Sequence, residues 1–154
     1  MKRFKQQLSE EECIEILKKE PRGVLAVNGD DGYPYAFPIN FHYEEQSGKL
    51  YFHCAKKGYK LDALRKSKKV SFCVYDEGYR KEGDWALNIK SVIIFGTIRF
   101  IEDQNETKAR LKALGLKYYP TEESVEEEVK TFWTNVQILE LTVQHMTGKC
   151  VNES

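Results

Sequence analysis

In "YFHCAKKGYKLDAL", residues 51 to 64, three lysines and a glycine occupy the positions where a strand gives way to a helix. His53, Cys54 and Ala55 end an alternating run, Lys56 and Lys57 follow, and Leu61 and Leu64 then recur at helical spacing. The N–H groups of a first helical turn have no intrahelical acceptor, and the helix dipole favours negative charge there. Gly58 permits close backbone approach, and Lys57 and Lys60 supply positive charge, so the natural occupant is a phosphate. The same residues would also serve as a solvated basic turn. Neither a phosphate-binding G-x-x-x-x-G-K-S/T loop nor a G-x-G-x-x-G turn is present, so the sequence supports no ordinary nucleotide-hydrolysis or dinucleotide site.

A second candidate is "YAFPINFHYE", where Pro38 interrupts a strand pattern and Pro34 precedes it. Proline lacks an N–H, so the ladder must be open there, at an edge, a bulge or a ligand. A planar heteroaromatic molecule could use the free backbone groups while lying against Ile39, Asn40 and Phe41; an edge strand defended by proline explains the residues equally well. His53 could bond a ligand oxygen or relay a proton, or could be a partly buried strand histidine. His42 and His145 read as structural, and Trp85 either anchors a loop or covers a ligand.

These residues need a frame. Ser9 and Glu12 have capping-box spacing ahead of Cys13, Ile16 and Leu17, predicting a helix over 9–20 that Pro21 stops. Strands are expected at 23–27, 35–43, 50–55, 69–77, 91–102 and from 136, with a hairpin turn at Asn28 to Gly32 and a bulge or close approach at Gly96. Two further helices fall between the last two strands, the first with Leu111, Leu114 and Leu116 as its stripe. Six strands joined by tight turns or single helices imply a mainly β fold, an antiparallel barrel with peripheral helices, in one domain over residues 1–154.

Composition narrows the functions. With 24 basic and 24 acidic residues there is no excess charge for bulk nucleic-acid binding. No apolar run approaches membrane length and the N-terminus is too charged for a signal peptide, so the expected location is cytoplasmic, without membrane or nucleic-acid partners. The four cysteines include no C-x-x-C pair, so neither a metal site nor a disulfide framework is expected.

The blocks "P-I-N-F", "YFHCAKKGYKLDAL" and "SVIIFGT", in that order and spacing, resemble the pyridoxamine 5'-phosphate oxidase-like FMN-binding split β-barrel flavoproteins, most closely the nitroimidazole-resistance branch, over about residues 5 to 147. The resemblance implies a six-stranded split barrel, a homodimer, and FMN in a groove between subunits. Carried onto this chain, it places His53, Cys54, Ala55, Lys57, Gly58 and Lys60 at the flavin phosphate, and the backbone of Pro38, Ile39, Asn40 and Phe41 along the ring. Ser91 and Val92 match a strand that approaches the cofactor, and His53 is the candidate catalytic residue. It further implies a flavin-dependent oxidoreductase with small-molecule electron donor and acceptor, reduction of nitro-aromatic compounds such as 5-nitroimidazoles being its sharpest form. Non-catalytic binding of flavin or heme is the alternative. The arginine-rich C-terminal segment of true pyridoxamine phosphate oxidases is missing from "QHMTGKCVNES", which argues against vitamin B6 oxidation.

Overall fold

The computed structural model describes residues 6–119 and 121–153. Its first helix, α1 (Glu10–Lys19), is closed by the expected capping box: Glu12 N–H donates to Ser9 Oγ and Ser9 N–H to Glu12 Oε1, each over 3.2 Å. Acidic residues in its first turn and lysines in its last both suit the helix dipole. Buried Cys13, Ile16 and Leu17 turn into the main core.

The strands are β1 (Arg22–Asn28), β2 (Pro34–Asn40), β3 (His42–Glu44), β4 (Lys49–Ala55), β5 (Lys69–Tyr75), β6 (Asn88–Ile101) and β7 (Val136–Asn152). They form one antiparallel sheet ordered β2-β1-β5-β6-β7-β4-β3. Seven strands replace the expected six, because the run 35–43 divides at Phe41: β2 pairs with β1 at one edge, and β3 pairs with β4 at the other. One residue therefore links the two ends of the sheet, and the sheet must curl to let it.

As its prolines require, β2 lies at an edge of the sheet, and Pro38 faces only Val24 of β1. At Gly96 the β6/β7 register shifts, with Phe95 opposite His145 but Gly96 opposite Val143. A Cβ on Gly96 would stand 2.3 Å from Thr142 O, so the two backbones meet where only glycine fits.

Inside the curl, Leu25, Phe41, Phe52, Phe72, Ile94 and Leu141 are fully enclosed, and Phe72 meets Phe41 and Phe52 edge to face. Helix α2 (Tyr59–Lys66) adds Leu61, Ala63 and Leu64 to this core. Helices α3 (Gln104–Tyr118) and α4 (Glu122–Phe132) cover the opposite face of β4, where a smaller cluster joins Tyr51, Ile101, Leu114 and Ile138. Leu116, expected on the buried stripe of α3, is exposed instead. Among the described residues no helix is long and apolar enough to cross a membrane, and all four cysteine thiols are free.

Candidate functional site

Pairing in the sheet leaves two lips. Strand β2 uses only its β1 side, while β4 beyond Tyr51 uses only its β7 side, because β3 ends its pairing at His42↔Tyr51. The edges of β2 and of β4 from Phe52 to Ala55 therefore keep unpaired ladder positions at the split in the barrel. A polar ligand can supply the partners that such backbone groups require.

At one end of this split lies the start of α2. Gly58 caps it at φ 146°, ψ 173°, a conformation reserved for glycine, and no side chain accepts from the first turn. Helices α1, α3 and α4 by contrast have Ser9, Asp103 and Thr121 in that role. A Cβ on Gly58 would meet nothing within 4 Å, so the approach to the first-turn N–H groups is open. Lys56, Lys57 and Lys60 have no carboxylate partner among the described residues. Two contacts fix this basic corner against β2: the Tyr59 ring packs on Tyr35 with its hydroxyl accepting from Asp30 N–H at 2.7 Å, and Lys60 Nζ lies 4.5 Å from the Phe37 ring centre. These contacts bring Tyr59 and Lys60 against Tyr35 and Phe37, on the strand that also carries Pro38, Ile39 and Asn40.

The candidates differ in what they offer. Pro38 is exposed and Asn40 half-buried, whereas the Ile39 side chain is buried in the core, leaving only its backbone toward a ligand. Cys54 also turns inward, where its thiol lies 3.8 Å from Gln137 O and burial pushes its pKa up to about 11. It is therefore a protonated packing group rather than a nucleophile. Ala55 is exposed at the mouth.

Phe41 is corrected. Its backbone is already satisfied from α3: its N–H donates to Tyr118 Oη at 2.9 Å, and its carbonyl accepts from Lys117 Nζ at 2.9 Å. Tyr118 Oη also lies 2.6 Å from Pro21 O and 2.9 Å from Phe41 O. Burial pulls the Lys117 ammonium down to about 8, and its Nζ sits 3.7 Å from the Phe41 ring centre. The clamp on Phe41 was not visible in the sequence, where Tyr118 is one of two tyrosines before Pro120 with no pattern linking it to residue 41.

Val92 is corrected likewise: its side chain is fully buried and its ladder partners are Val74 and Gly148, so it offers a ligand nothing. Ser91 is half-buried on the other face of β6, three places from β2 in the sheet order. Within one chain the structure does not bring it to the split. Its face also carries exposed Ile93 and Phe95, with His145 stacked on Phe95 at 6.0 Å, and exposed Tyr75 opposite Ser91.

His53 points to the outer face of β4, two residues beyond Tyr51, and lines a cleft of about 380 Å³ with Asn40 and residues of α3 and α4. Its side chain is exposed to solvent, yet the protein atoms packed around the ring lower its pKa by desolvation and favour the neutral imidazole. His42, on β3, has a buried Nδ1 with no hydrogen-bond partner among the described residues.

The family model described as pyridoxamine 5'-phosphate oxidase matches residues 9–150. The chain belongs to this family. Among solved structures, a Bacteroides thetaiotaomicron protein provisionally assigned to 5-nitroimidazole antibiotic resistance is similar at 21% identity and TM-score 0.77, covering 95% of this chain and 87% of the other. A Mycobacterium smegmatis FAD binding protein shares 20% identity over 96% of this chain and 99% of its own, with TM-score 0.69. An FAD and heme binding protein from the same organism shares 22% over 97% and 74%, with TM-score 0.75. At these identities the likeness establishes the split-barrel fold. A comparison with curated proteins finds no match.

Proposed function

We propose that the chain is a flavin-binding oxidoreductase, with FMN seated across the split between β2 and β4. The observation that carries this reading is the contact of the lysine-bearing start of α2, which no side chain caps, with the edge strand β2, through Tyr59 on Tyr35 and Lys60 on Phe37. A flavin mononucleotide has the two parts this corner suits, a phosphate and a flat ring with hydrogen-bonding edges. The first-turn N–H groups and Lys57 would hold the phosphate, and unpaired backbone from Pro38 to Asn40 would orient the ring. The names of structural relatives that bind FAD support a flavin over other phosphates.

When bound, the flavin supplies electron transfer between a small donor and a small acceptor. The chain contributes binding, orientation and, at His53, a neutral imidazole able to donate or accept one hydrogen bond beside the split. Nitro-aromatic compounds are the acceptors we propose, on the strength of the Bacteroides relative. We further propose a homodimer through the β6 face that carries Ile93 and Phe95, which would cover exposed apolar surface and let Ser91 serve the neighbouring copy's groove.

The test is a visible spectrum after FMN is added and excess removed by gel filtration. Flavin retained at about one per chain supports the reading, and Lys57→Ala with Lys60→Ala should then weaken binding by about 2 kcal/mol or more, roughly 30-fold. A protein that retains no flavin, or a double variant that binds as well as its parent, would sink it. A Soret band in place of flavin bands would point to heme instead.

A further inference from the structure

The cleft beneath α3 and α4 has walls from both layers of the molecule. Asn40 and His53, from opposite lips of the split, form its polar floor. Leu114, Val125, Val129, Phe132 and Tyr119 form its sides, and Tyr119 and Phe132 each leave 46% of their surface exposed. Its volume of about 380 Å³ is at the scale of a small ligand. The helices are pinned beside it, because a Cβ on Gly115 would stand 2.8 Å from Val125 Cγ1 and α4 lies directly on the α3 backbone.

Charge narrows what could enter. Glu128 is the sole charged side chain among the lining residues, with no lysine or arginine there. The adjacent Lys117 turns its Nζ to Phe41 O. A carboxylate or phosphate would meet like charge and find no cation, whereas a neutral molecule meets aromatic walls and the side chains of Asn40, His53 and Asn135, each able to donate and accept hydrogen bonds.

We propose that this cleft binds a neutral, planar aromatic molecule carrying one polar substituent, its ring among Tyr119, Val129 and Phe132 and its substituent at Asn40 and His53. As the acceptor pocket of the flavin site the proposal rests on the reading above; as a binding site it stands alone. Because both lips of the split contribute to the floor, a molecule here lies at the outer side of the groove assigned to the flavin ring.

The experiment is a calorimetric titration of benzamide and benzoate into the full chain, with and without prior loading by FMN. Benzamide should bind both forms and benzoate neither. Val129→Trp, which fills the cleft, should weaken benzamide at least about tenfold while the protein keeps a cooperative thermal transition. Should that variant not fold, Glu128→Lys asks the same question from the cleft mouth and should bring benzoate binding into range. Benzamide that fails to bind, or binds Val129→Trp as well as the parent, overturns the proposal. So does Glu128→Lys without any gain for benzoate. Binding to the FMN-free chain that FMN abolishes would assign the cleft to the cofactor and equally overturn it. A chain that retains no FMN yet binds benzamide in a Val129-dependent way keeps the cleft and removes the flavin reading instead.

Discussion

Replacing Tyr118 by phenylalanine removes one oxygen from the joint between the sheet's two edges. That oxygen accepts the Phe41 N–H at 2.9 Å and has a single proton to give, with Pro21 O at 2.6 Å the nearer acceptor and Phe41 O, already served by Lys117, at 2.9 Å. The variant loses one donated bond and strands an N–H on a residue with 0% of its surface exposed. A lost bond costs about 1 kcal/mol and an unsatisfied buried donor about 1–3, so the sum is about 2–4 kcal/mol. Against a total stability of about 5–15 kcal/mol, that is a large fraction. Urea unfolding should show a lower midpoint at unchanged slope. The exposed neighbour provides the control, since Tyr119→Phe should stay within about 0.5 kcal/mol. If Tyr118→Phe costs no more than the control, the clamp on Phe41 is not what holds the strand switch.

Glu140 is buried and accepts from Arg99, Tyr51 and Lys49, which hold its carboxyl at about 2. A depressed carboxylate stabilises the fold above its unfolded pKa and loses that contribution as pH falls through its folded one, so about 2–3 kcal/mol should disappear between about pH 4.5 and 2. Urea midpoints measured across that range should decline steeply in the parent and less in Glu140→Gln, which starts lower at neutral pH; parallel curves would exclude Glu140 as the cause. Gly96→Ala should cost about 1–3 kcal/mol, because its Cβ meets the Thr142 carbonyl, and a thermal transition equal to the parent's would show that the bulge yields without strain.

Much of the frame is local chemistry and was legible for that reason. Ser9 with Glu12, the prolines of β2 and Gly96 each declare a backbone requirement within a few residues, and the structure meets all of them. The division of the second strand is not local. Nothing at Phe41 marks a break, and its cause lies some eighty residues away in Lys117 and Tyr118. The same distinction runs through the site: the basic start of α2 is one contiguous segment and could be read, whereas the cleft over His53 depends on two helices arriving from between β6 and β7. Alternation alone also separates Ser91 from Val92, and the resemblance that joined them did not specify which faced outward.

The single-residue link at Phe41 makes the width of the split a mechanical variable. Its lips belong to two local hairpins, β1 with β2 and β3 with β4, which the chain can form early and separately. What fixes the gap between them is the span of β5, β6 and β7, three strands that contribute no edge to it. A change of curvature at the Gly96 bulge would therefore be felt as an opening or closing of a groove on the far side of the barrel, with Phe41 as the pivot. Selection on ligand size in this chain can act through central strands whose side chains the ligand never touches.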